Sequence, residues 1–266
     1  MTTIEGVVLD HVALAAERWS DLWPRYLGDL AGRWLGGGRT EGFAPAQIAF
    51  ADGMKVEVLE PHRTDRVDFL RRFLDTRGPG PHHLTFKVPD LERALDSVGN
   101  AGYSPIGVDM RDPHWKESFL HPRQATGVVV QIAWAAGEFP DDAGADGLPP
   151  PRTATPASLV HVAHSVASLG EGLRLFEGLL GGARRAESEA VVDLAWAGGG
   201  CIRLLGGGPE LDGRTGRISH LTFACERPED VPGARPAGDG TFVVEAADNL
   251  GTRLVLWPPG YEDPHG

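Results

Sequence analysis

Short stretches in which every second residue is apolar recur along the chain, and this alternation is typical of a strand with one buried face. Four of them share a pattern built around histidine, namely "LDHVALAA" from Leu9, "HHLTFKV" from His82, "LVHVAHSV" from Leu159 and "SHLTFAC" from Ser219. Internal repetition at this scale indicates repeated structural units. The pattern therefore predicts four copies of one unit.

Three of the four stretches are followed by apolar residues at helical spacing. The first helix is predicted between Trp19 and Leu30 with Ser20 as its cap, and Asp90 and Ser168 are the predicted caps of the second and third. After the fourth stretch, "ERPEDVPGARPAGDG" contains too much Pro and Gly for a helix. Further short strands follow each helix, and another helix is expected around residues 66–75. The order predicts four βαβββ units.

One segment separates the first two units from the last two. Residues 136–157 are rich in Pro, Gly, Ala and Asp and contain few large apolar residues. Such a composition is typical of an extended, solvated linker. We therefore expect one module over residues 7–135 and a second over residues 158–258.

The composition narrows the classes of partner. A formal charge of -12 over 266 residues argues against nucleic acid or an anionic membrane surface, which basic faces usually bind. No apolar run is long enough to span a membrane, and the sequence does not open with a secretory signal pattern. The two cysteines, Cys201 and Cys225, match no metal-binding or disulfide spacing. We expect a cytoplasmic protein with a small-molecule ligand, as a monomer or a homodimer.

Two segments, "GPGPHHLTFKV" and "FLHPRQATGVVVQIAW", resemble the vicinal oxygen chelate superfamily. This superfamily includes glyoxalase I, methylmalonyl-CoA epimerase, bleomycin-resistance proteins and extradiol dioxygenases, and the likeness is strongest to the epimerase and glyoxalase branch. It covers residues 7–135 well and residues 158–258 more loosely. The resemblance implies an α+β fold in which the four βαβββ units form two half-open eight-stranded cups, with a metal on a concave face.

Strand alternation separates the adjacent histidines. In a regular strand neighbouring side chains point to opposite faces, so His82 and His83 cannot both enter the cup. His83 shares its face with Thr85, whereas His82 shares its face with Leu84 and Phe86. The alternation predicts that His83 faces a polar cavity and that His82 lies on the other face.

The resemblance implies a set of metal ligands in the first module. It places His11, Glu57, His83 and Gln131 at the superfamily's ligand positions, which suits one divalent ion such as Zn, Co, Ni, Mn or Fe. Each residue also has a simpler interpretation: the histidines as core residues, Glu57 as the partner of an arginine, and Gln131 as a partner of the backbone. In the second module the matching residues are His161, Arg203, His220 and Val255. Arginine and valine do not coordinate a metal, so this module is predicted to be degenerate.

The activity that the resemblance implies is proton abstraction beside a carbonyl group. We expect a lyase or isomerase that stabilises an enolate of a small α-oxo acid, thiohemiacetal or acyl thioester. The resemblance assigns catalytic roles to Glu57 and Gln131, but an amide does not carry the proton that the usual glutamate carries. Glu41, before the strand that precedes Glu57, is an alternative proton acceptor.

Further polar and aromatic residues are candidates for contacts with the substrate. They are Gln47, Trp115, Lys116, His121 and Arg123. The simpler interpretation is a solvated loop with scattered charges, and for Trp115 a core aromatic residue.

Two other functions remain open at this stage. The first is a non-catalytic protein that holds an antibiotic or a metabolite in the cup, because the usual bases are altered. The second is a ring-cleaving dioxygenase, since His11, His83 and Glu57 could provide two imidazoles and one carboxylate for iron. In dioxygenases of this superfamily the intact site usually lies in the carboxy-terminal module, which argues against the second.

Overall fold

The computed structural model describes residues 2–137, 146–207, 211 and 213–265. Strands from residues 8–135 form one sheet: β1 (Val8–Ala15), β2 (Arg33–Gly37), β3 (Gly42–Ala49), β4 (Lys55–His62), β5 (Gly80–Lys87), β6 (Ile106–Asp109), β7 (Trp115–Leu120) and β8 (Val129–Ala135). Strands from residues 158–257 form another: β9 (Ser158–Val166), β10 (Ala183–Glu187), β11 (Val191–Ala195), β12 (Cys201–Gly206), β13 (Gly216–Ala224), β14 (Arg235–Pro236), β15 (Phe242–Val244) and β16 (Leu254–Trp257).

The two sheets have the same strand order. The first runs β2-β3-β4-β1-β5-β8-β7-β6 and the second β10-β11-β12-β9-β13-β16-β15-β14, so neither sheet closes on itself. In the first, β1 pairs with β4 in parallel and with β5 antiparallel, and β5 pairs with β8 in parallel. The predicted α+β fold with two half-open eight-stranded cups is confirmed.

Three helices follow the first strand of a unit, and one more, the second along the chain, lies between β4 and β5. They are α1 (Trp19–Trp23), α2 (Phe69–Arg77), α3 (Leu91–Asn100) and α4 (Leu169–Leu173), and π-helical turns at Pro24–Asp29 and Arg174–Leu179 extend α1 and α4. The fourth unit has only the 3-10 turn Pro228–Asp230 at this place, as its Pro and Gly content predicted. Within the described ranges, no helix combines the length and the apolar content that crossing a membrane requires.

The helix caps confirm two predictions and correct one. Asp90 accepts a hydrogen bond from the backbone N–H of Arg93, and Ser168 accepts one from that of Glu171. The predicted cap Ser20 is wrong, because α1 begins at Trp19 and Ser20 lies inside it. The backbone N–H of Trp19 donates instead to Glu60 Oε2 at 2.9 Å. A carboxylate from the neighbouring strand thus replaces the local cap.

A single hydrophobic core joins the two modules. On one face of the first sheet, side chains such as Val12 and Leu84 are fully buried beneath the helices, in a cluster that continues into the second module. The ring of Phe86 lies 5.2 Å from that of Trp196, and Phe50 lies 4.9 Å from Phe223 across the same junction. Burial of this area fixes the modules against each other and leaves the other face of each sheet for a site.

The described half of the predicted linker packs against the first module. The backbone N–H of Arg152 donates to Gly28 O at 2.9 Å, its guanidinium lies 2.9 Å from Asp29, and Ala157 is buried. Residues 138–145 of the linker lie outside the described residues. The segment 146–157 is therefore held along α1 and its extension.

Two close backbone contacts mark the junction between the modules, and they are related by the repeat. Gly127, just before β8, lies against Gly216 at the start of β13, and Gly251, before β16, lies against Gly80 at the start of β5. A Cβ atom on Gly127 would lie 1.9 Å from the backbone oxygen of Gly216. Gly80 before "HHLTFKV" and Gly216 before the repeated stretch "SHLTFAC" thus allow one module to pack closely on the other.

A pair of substitutions separates this packing from backbone strain. Gly127 and Gly102 have positive φ angles of 84° and 83°, but no atom lies within 4 Å of a Cβ built on Gly102. Both alanine variants bear the strain of a left-handed backbone, and only Gly127→Ala adds a clash. We expect it to lower the free energy of unfolding by about 1–3 kcal/mol more than Gly102→Ala, as measured by urea denaturation. Equal losses would contradict the close packing.

Candidate metal centre

Two β-bulges shape the centre of the first cup. In the pairing of β1 with β5, Asp10 is an extra residue between the pairs Leu9–Phe86 and His11–Thr85, and His82 is an extra residue between Ala13–His83 and Leu14–Pro81. An extra residue opposes no partner and interrupts the regular alternation of side chains. Each bulge residue directly precedes a predicted metal ligand.

Three of the predicted ligands lie together on three adjacent strands. His11 on β1, Glu57 on β4 and His83 on β5 are all buried, and each offers one ligand atom within 4.8 Å of the others. Glu57 Oε2 lies 3.4 Å from His11 Nε2 and 3.8 Å from His83 Nε2. The prediction that His83 faces the cup agrees with this arrangement.

The donor set fits a divalent ion. His11 Nε2 and His83 Nε2 are buried and have no hydrogen-bond partner among the described residues. A buried polar atom without a partner costs about 1–3 kcal/mol, and two such atoms face one carboxylate here. Two imidazoles and one carboxylate are ligands that zinc and its neighbours in the first transition row accept. A cation between these three atoms would satisfy all of them.

The other nitrogen of His11 is held by a buried carboxylate. His11 Nδ1 lies 2.7 Å from Asp10 Oδ2, and Asp10 Oδ1 lies 2.7 Å from Lys55 Nζ and 3.2 Å from Lys87 Nζ. The lysines compensate the charge of Asp10. Because Asp10 holds Nδ1, Nε2 is the nitrogen of His11 that faces Glu57 and is positioned as a ligand atom.

The predicted orientation of His82 is wrong. Its Nδ1 lies 2.8 Å from His83 Nδ1, and its ring packs 4.7 Å from Phe73 and 5.9 Å from Phe69 of α2. This helix covers the face that carries His11 and Glu57, since Leu70 and Leu74 pack on Ala13 and Leu59. The bulge breaks the alternation on which the prediction rested. His82 therefore supports His83 in the way that Asp10 supports His11.

The pKa values reflect the same arrangement. Burial disfavours the charged form of His11, but the carboxylates of Glu57 and Asp10 outweigh it and raise its pKa to about 9. Burial and the neighbouring His82 and His11 hold the pKa of His83 well below its usual value. Burial also lowers the pKa of His82 to about 4, against a smaller opposing effect of Glu57. The carboxylates of Glu57 and Asp10 thus favour the charged form of His11, whereas His83 and His82 stay neutral.

The predicted fourth ligand, Gln131 on β8, is part of a hydrogen-bond chain. Its amide oxygen accepts from Thr85 Oγ1 at 2.6 Å, and its amide nitrogen donates to Glu117 Oε2 at 2.7 Å. A carbonyl oxygen has a second lone pair, so Gln131 stays a candidate ligand. Glu117 also accepts from the indole Nε1 of Trp115 at 2.7 Å.

The predicted base Glu41 and the predicted substrate contacts lie in different places. Gln47 is buried and its amide nitrogen lies 3.3 Å from Glu57 Oε1, so it belongs to the centre. Trp115 reaches the centre through Glu117. The other predicted contacts, Lys116, His121 and Arg123, and the predicted base Glu41 do not join this hydrogen-bond network among the described residues.

The local structure explains why each of these four residues lies apart from the metal centre. Lys116 alternates with Glu117 on β7 and lies over the ring of Trp134, on the other face of the strand. His121 and Arg123 are exposed in the turn after β7, where the backbone N–H of Arg123 donates to His121. Glu41 is exposed in the bend before β3, not within the strand.

An aromatic wall beside the metal centre was not predicted as part of the site. Phe43 on β3 packs 5.6 Å from Phe69, which with Phe73 flanks His82. The spacing of Phe69 and Phe73 indicated only a helix that covers a core. Their position gives the cup a polar centre with an apolar side.

The second cup repeats the frame with other chemistry. Ser219 is the bulge residue before His220 and its Oγ lies 3.1 Å from His220 Nδ1, as His82 lies beside His83. Val160 stands where Asp10 does, and His161 Nε2 is hydrogen-bonded to Thr222 instead. Arg203 replaces Glu57. The predicted loss of a metal site agrees with these contacts, and the metal-ligand group of the described chain is the one in the first cup.

Comparisons with known proteins give one match to the first module and one to nearly the whole chain. Residues 10–119 match the family model of the glyoxalase/bleomycin resistance protein/dioxygenase superfamily. A hypothetical protein from Staphylococcus aureus is similar over 95% of this chain and 99% of its own, with a TM-score of 0.62 and 10% identity. That likeness shows the tandem fold. Residues 10–119 are therefore similar in sequence to the vicinal oxygen chelate superfamily, and the tandem fold is consistent with it.

Two structures of single-module length are similar to about half of this chain. A hypothetical protein from Bacillus halodurans C-125 is 26% identical, over 52% of this chain and 100% of its own, with a TM-score of 0.46. Methylmalonyl-CoA epimerase from Mycobacterium tuberculosis is 23% identical, over 52% of this chain and 93% of its own, with a TM-score of 0.45. No curated protein sequence matches the chain. Members of the superfamily generally bind a divalent metal, and the group of His11, Glu57 and His83 could hold one.

The two modules provide a matched test of metal binding. We expect the protein to bind about one divalent ion per chain and His83→Ala to lose it, because one of three buried donors is removed. His220→Ala, at the equivalent place in the second cup, keeps the ion. Elemental analysis after dialysis against zinc or cobalt measures both. Equal metal content in the wild type and His83→Ala would exclude this centre.

Asp10 offers a second test that leaves all ligands in place. Asp10→Asn keeps the size of the side chain but removes the carboxylate that holds His11 Nδ1. Loss of such a partner typically weakens metal binding 10- to 100-fold. Competition with a chromophoric chelator measures the dissociation constant. An affinity equal to that of the wild type would mean that Asp10 only forms ion pairs with Lys55 and Lys87 and does not support the metal site.

Proposed function

We propose that the first module is a metal-dependent lyase or isomerase of the glyoxalase and epimerase type. Its substrate is a small α-oxo acid, a thiohemiacetal or an acyl thioester, from which the protein removes a proton beside the carbonyl group. The observation that supports this most is the pair of buried imidazole nitrogens that face Glu57 and have no hydrogen-bond partner within the described part of the chain. A divalent ion bound there supplies Lewis acidity toward an enolate oxygen.

Proton transfer needs a carboxylate beside this centre, and we assign the role to Glu117, which is hydrogen-bonded to the candidate ligand Gln131. Its side chain is half-buried on the strand beside β8 and is anchored by Trp115 and Gln131. Both of these hydrogen bonds use Oε2, and Oε1 has no partner among the described residues. We therefore assign Oε1 as the atom that accepts the proton from the substrate, while Trp115 and Gln131 fix the orientation of the carboxylate.

The surroundings of Glu117 also favour its role as a base. Burial raises its pKa, and the charges of Glu57 and Asp109 act in the same direction, against the opposing hydrogen bonds of Trp115 and Gln131. A carboxylate with a raised pKa accepts a carbon-bound proton more readily. Gln131, at the position where the resemblance implies a glutamate, then orients the base instead of being the base.

Solvent deuterium exchange tests this assignment. The zinc- or cobalt-loaded protein is incubated in deuterated water with a panel of 2-oxo acids and acyl thioesters, and incorporation is followed by NMR. We expect Glu117→Gln to slow exchange at least about 100-fold while its metal content stays that of the wild type. Glu41→Gln provides the comparison. Exchange lost in Glu41→Gln and kept in Glu117→Gln would transfer the role to Glu41.

The same ligand group favours one other activity. Two histidines and one carboxylate also bind iron in oxygenases, so a ring-cleaving dioxygenase is the second candidate. Oxygen uptake by the iron-loaded protein with catechols distinguishes it. A protein that binds metal and is inactive in both assays would be a binding protein, the remaining alternative.

A further inference from the structure

Arg203 converts the centre of the second cup into a site for an anion. It takes the position of Glu57, and its cross-strand partner Asp193 takes the position of Gln47. Both side chains are buried. Arg203 Nε and Nη2 donate to the two oxygens of Asp193 at 2.7 and 2.5 Å. One edge of the guanidinium is thus fixed from the sheet, and the other edge is directed into the cup.

A carboxylate of the same chain occupies that second edge. Asp263 lies in the segment 258–265, which follows β16, and its two oxygens accept hydrogen bonds from Arg203 Nη1 and Nη2. The ring of Tyr261 in this segment lies 5.0 Å from that of Trp257, the last residue of β16. Asp263 therefore shows how a carboxylate is bound at this place.

Space for more than the Asp263 side chain remains beside it. A cavity of about 240 Å³ is lined by Arg203 and Asp263 and, among others, by His161, His220, Arg253, Val255, Trp257 and Tyr261. This volume is below that of sites for drug-sized ligands, which begin at about 300 Å³. The lining is polar at the arginine and the histidines and apolar at valine and the two aromatic rings.

Arg203 and Arg253 line the cavity together with Asp239 and Asp263, so the guanidinium edge of Arg203 directed into the cup, and not a surplus of positive charge, is what selects an anion. Burial, and then the charges of Arg253 and Arg203, lower the pKa of His220 to about 3. His161 is likewise held neutral by burial and by Arg203. Neutral histidines supply hydrogen bonds without adding charge, and the guanidinium edge supplies two parallel N–H donors.

We propose that the second cup binds a small carboxylate with an aromatic or apolar body, and that Asp263 holds the carboxylate subsite until the ligand displaces it. The ligand's carboxylate would take both donors from Arg203 now used by Asp263. Its body would lie against Val255, Trp257 and Tyr261. The affinity of such a ligand is reduced by the fraction of molecules in which Asp263 is bound. This site is independent of the activity proposed for the first cup.

Benzoate is a suitable probe, with benzamide as its neutral counterpart. Asp263→Asn removes the competing charge and leaves the Arg203–Asp193 pair intact. We expect this variant to bind benzoate at least tenfold more tightly than the wild type, and to bind benzamide more weakly than benzoate, in calorimetric titration. Adding Arg203→Lys, which keeps a charge for Asp193 but lacks the planar fork, reverses the gain.

His83→Ala serves as the control for the location of the site. It alters the first cup only, so benzoate binding should be that of the wild type. Thermal unfolding of each variant verifies the fold before titration. The proposal is overturned if Asp263→Asn binds benzoate no better than the wild type, if benzamide binds equally well, or if His83→Ala abolishes binding.

Discussion

The bulges in the pairing of β1 with β5 are the constraint on which the first cup depends. A regular antiparallel pair would turn Asp10 away from His11 and His82 away from His83. The two extra residues interrupt the alternation, so each histidine has a partner for Nδ1 from the residue before it in the chain. Since one ring nitrogen is occupied in each case, the other is directed at Glu57. The ligand geometry is thus a property of the backbone register as well as of the side chains.

The repeat shows that this frame does not depend on a metal. In the pairing of β9 with β13 the bulges recur at Val160 and Ser219, although the cup between them has Arg203 at its centre. Gly127 and Gly251 likewise make equivalent contacts across the junction of the modules. The bulges and glycines therefore belong to the fold, and the chemistry of each cup depends on a few side chains set upon it.

Local sequence pattern predicted most of the fold, because strand alternation, helix caps and a four-fold repeat are properties of neighbouring residues. It also identified His83 as the histidine that faces the cup, because His83 shares its strand face with the polar residue Thr85. What it missed depends on contacts between distant residues. The cap of α1 comes from Glu60, some forty residues away, and the two bulges become visible only when β1 meets β5. Glu117 stood in a stretch of scattered charges, and nothing local to it indicates that Gln131 and Trp115 both donate to it.

The exchange of Glu57 for Arg203 shows how one frame accommodates central residues of opposite charge. In the first cup Gln47 contacts the carboxylate of Glu57, and the negative charge of Glu57 faces the two imidazole rings. In the second, Asp193 neutralises Arg203 from the sheet side, which makes a buried guanidinium tolerable and leaves two of its donors for the cup. A buried charge needs a partner, so each central residue was matched by a change in the strand beside it. The pair of positions on β3 and β4, and on β11 and β12, therefore sets the sign of the charge on the central side chain of each cup.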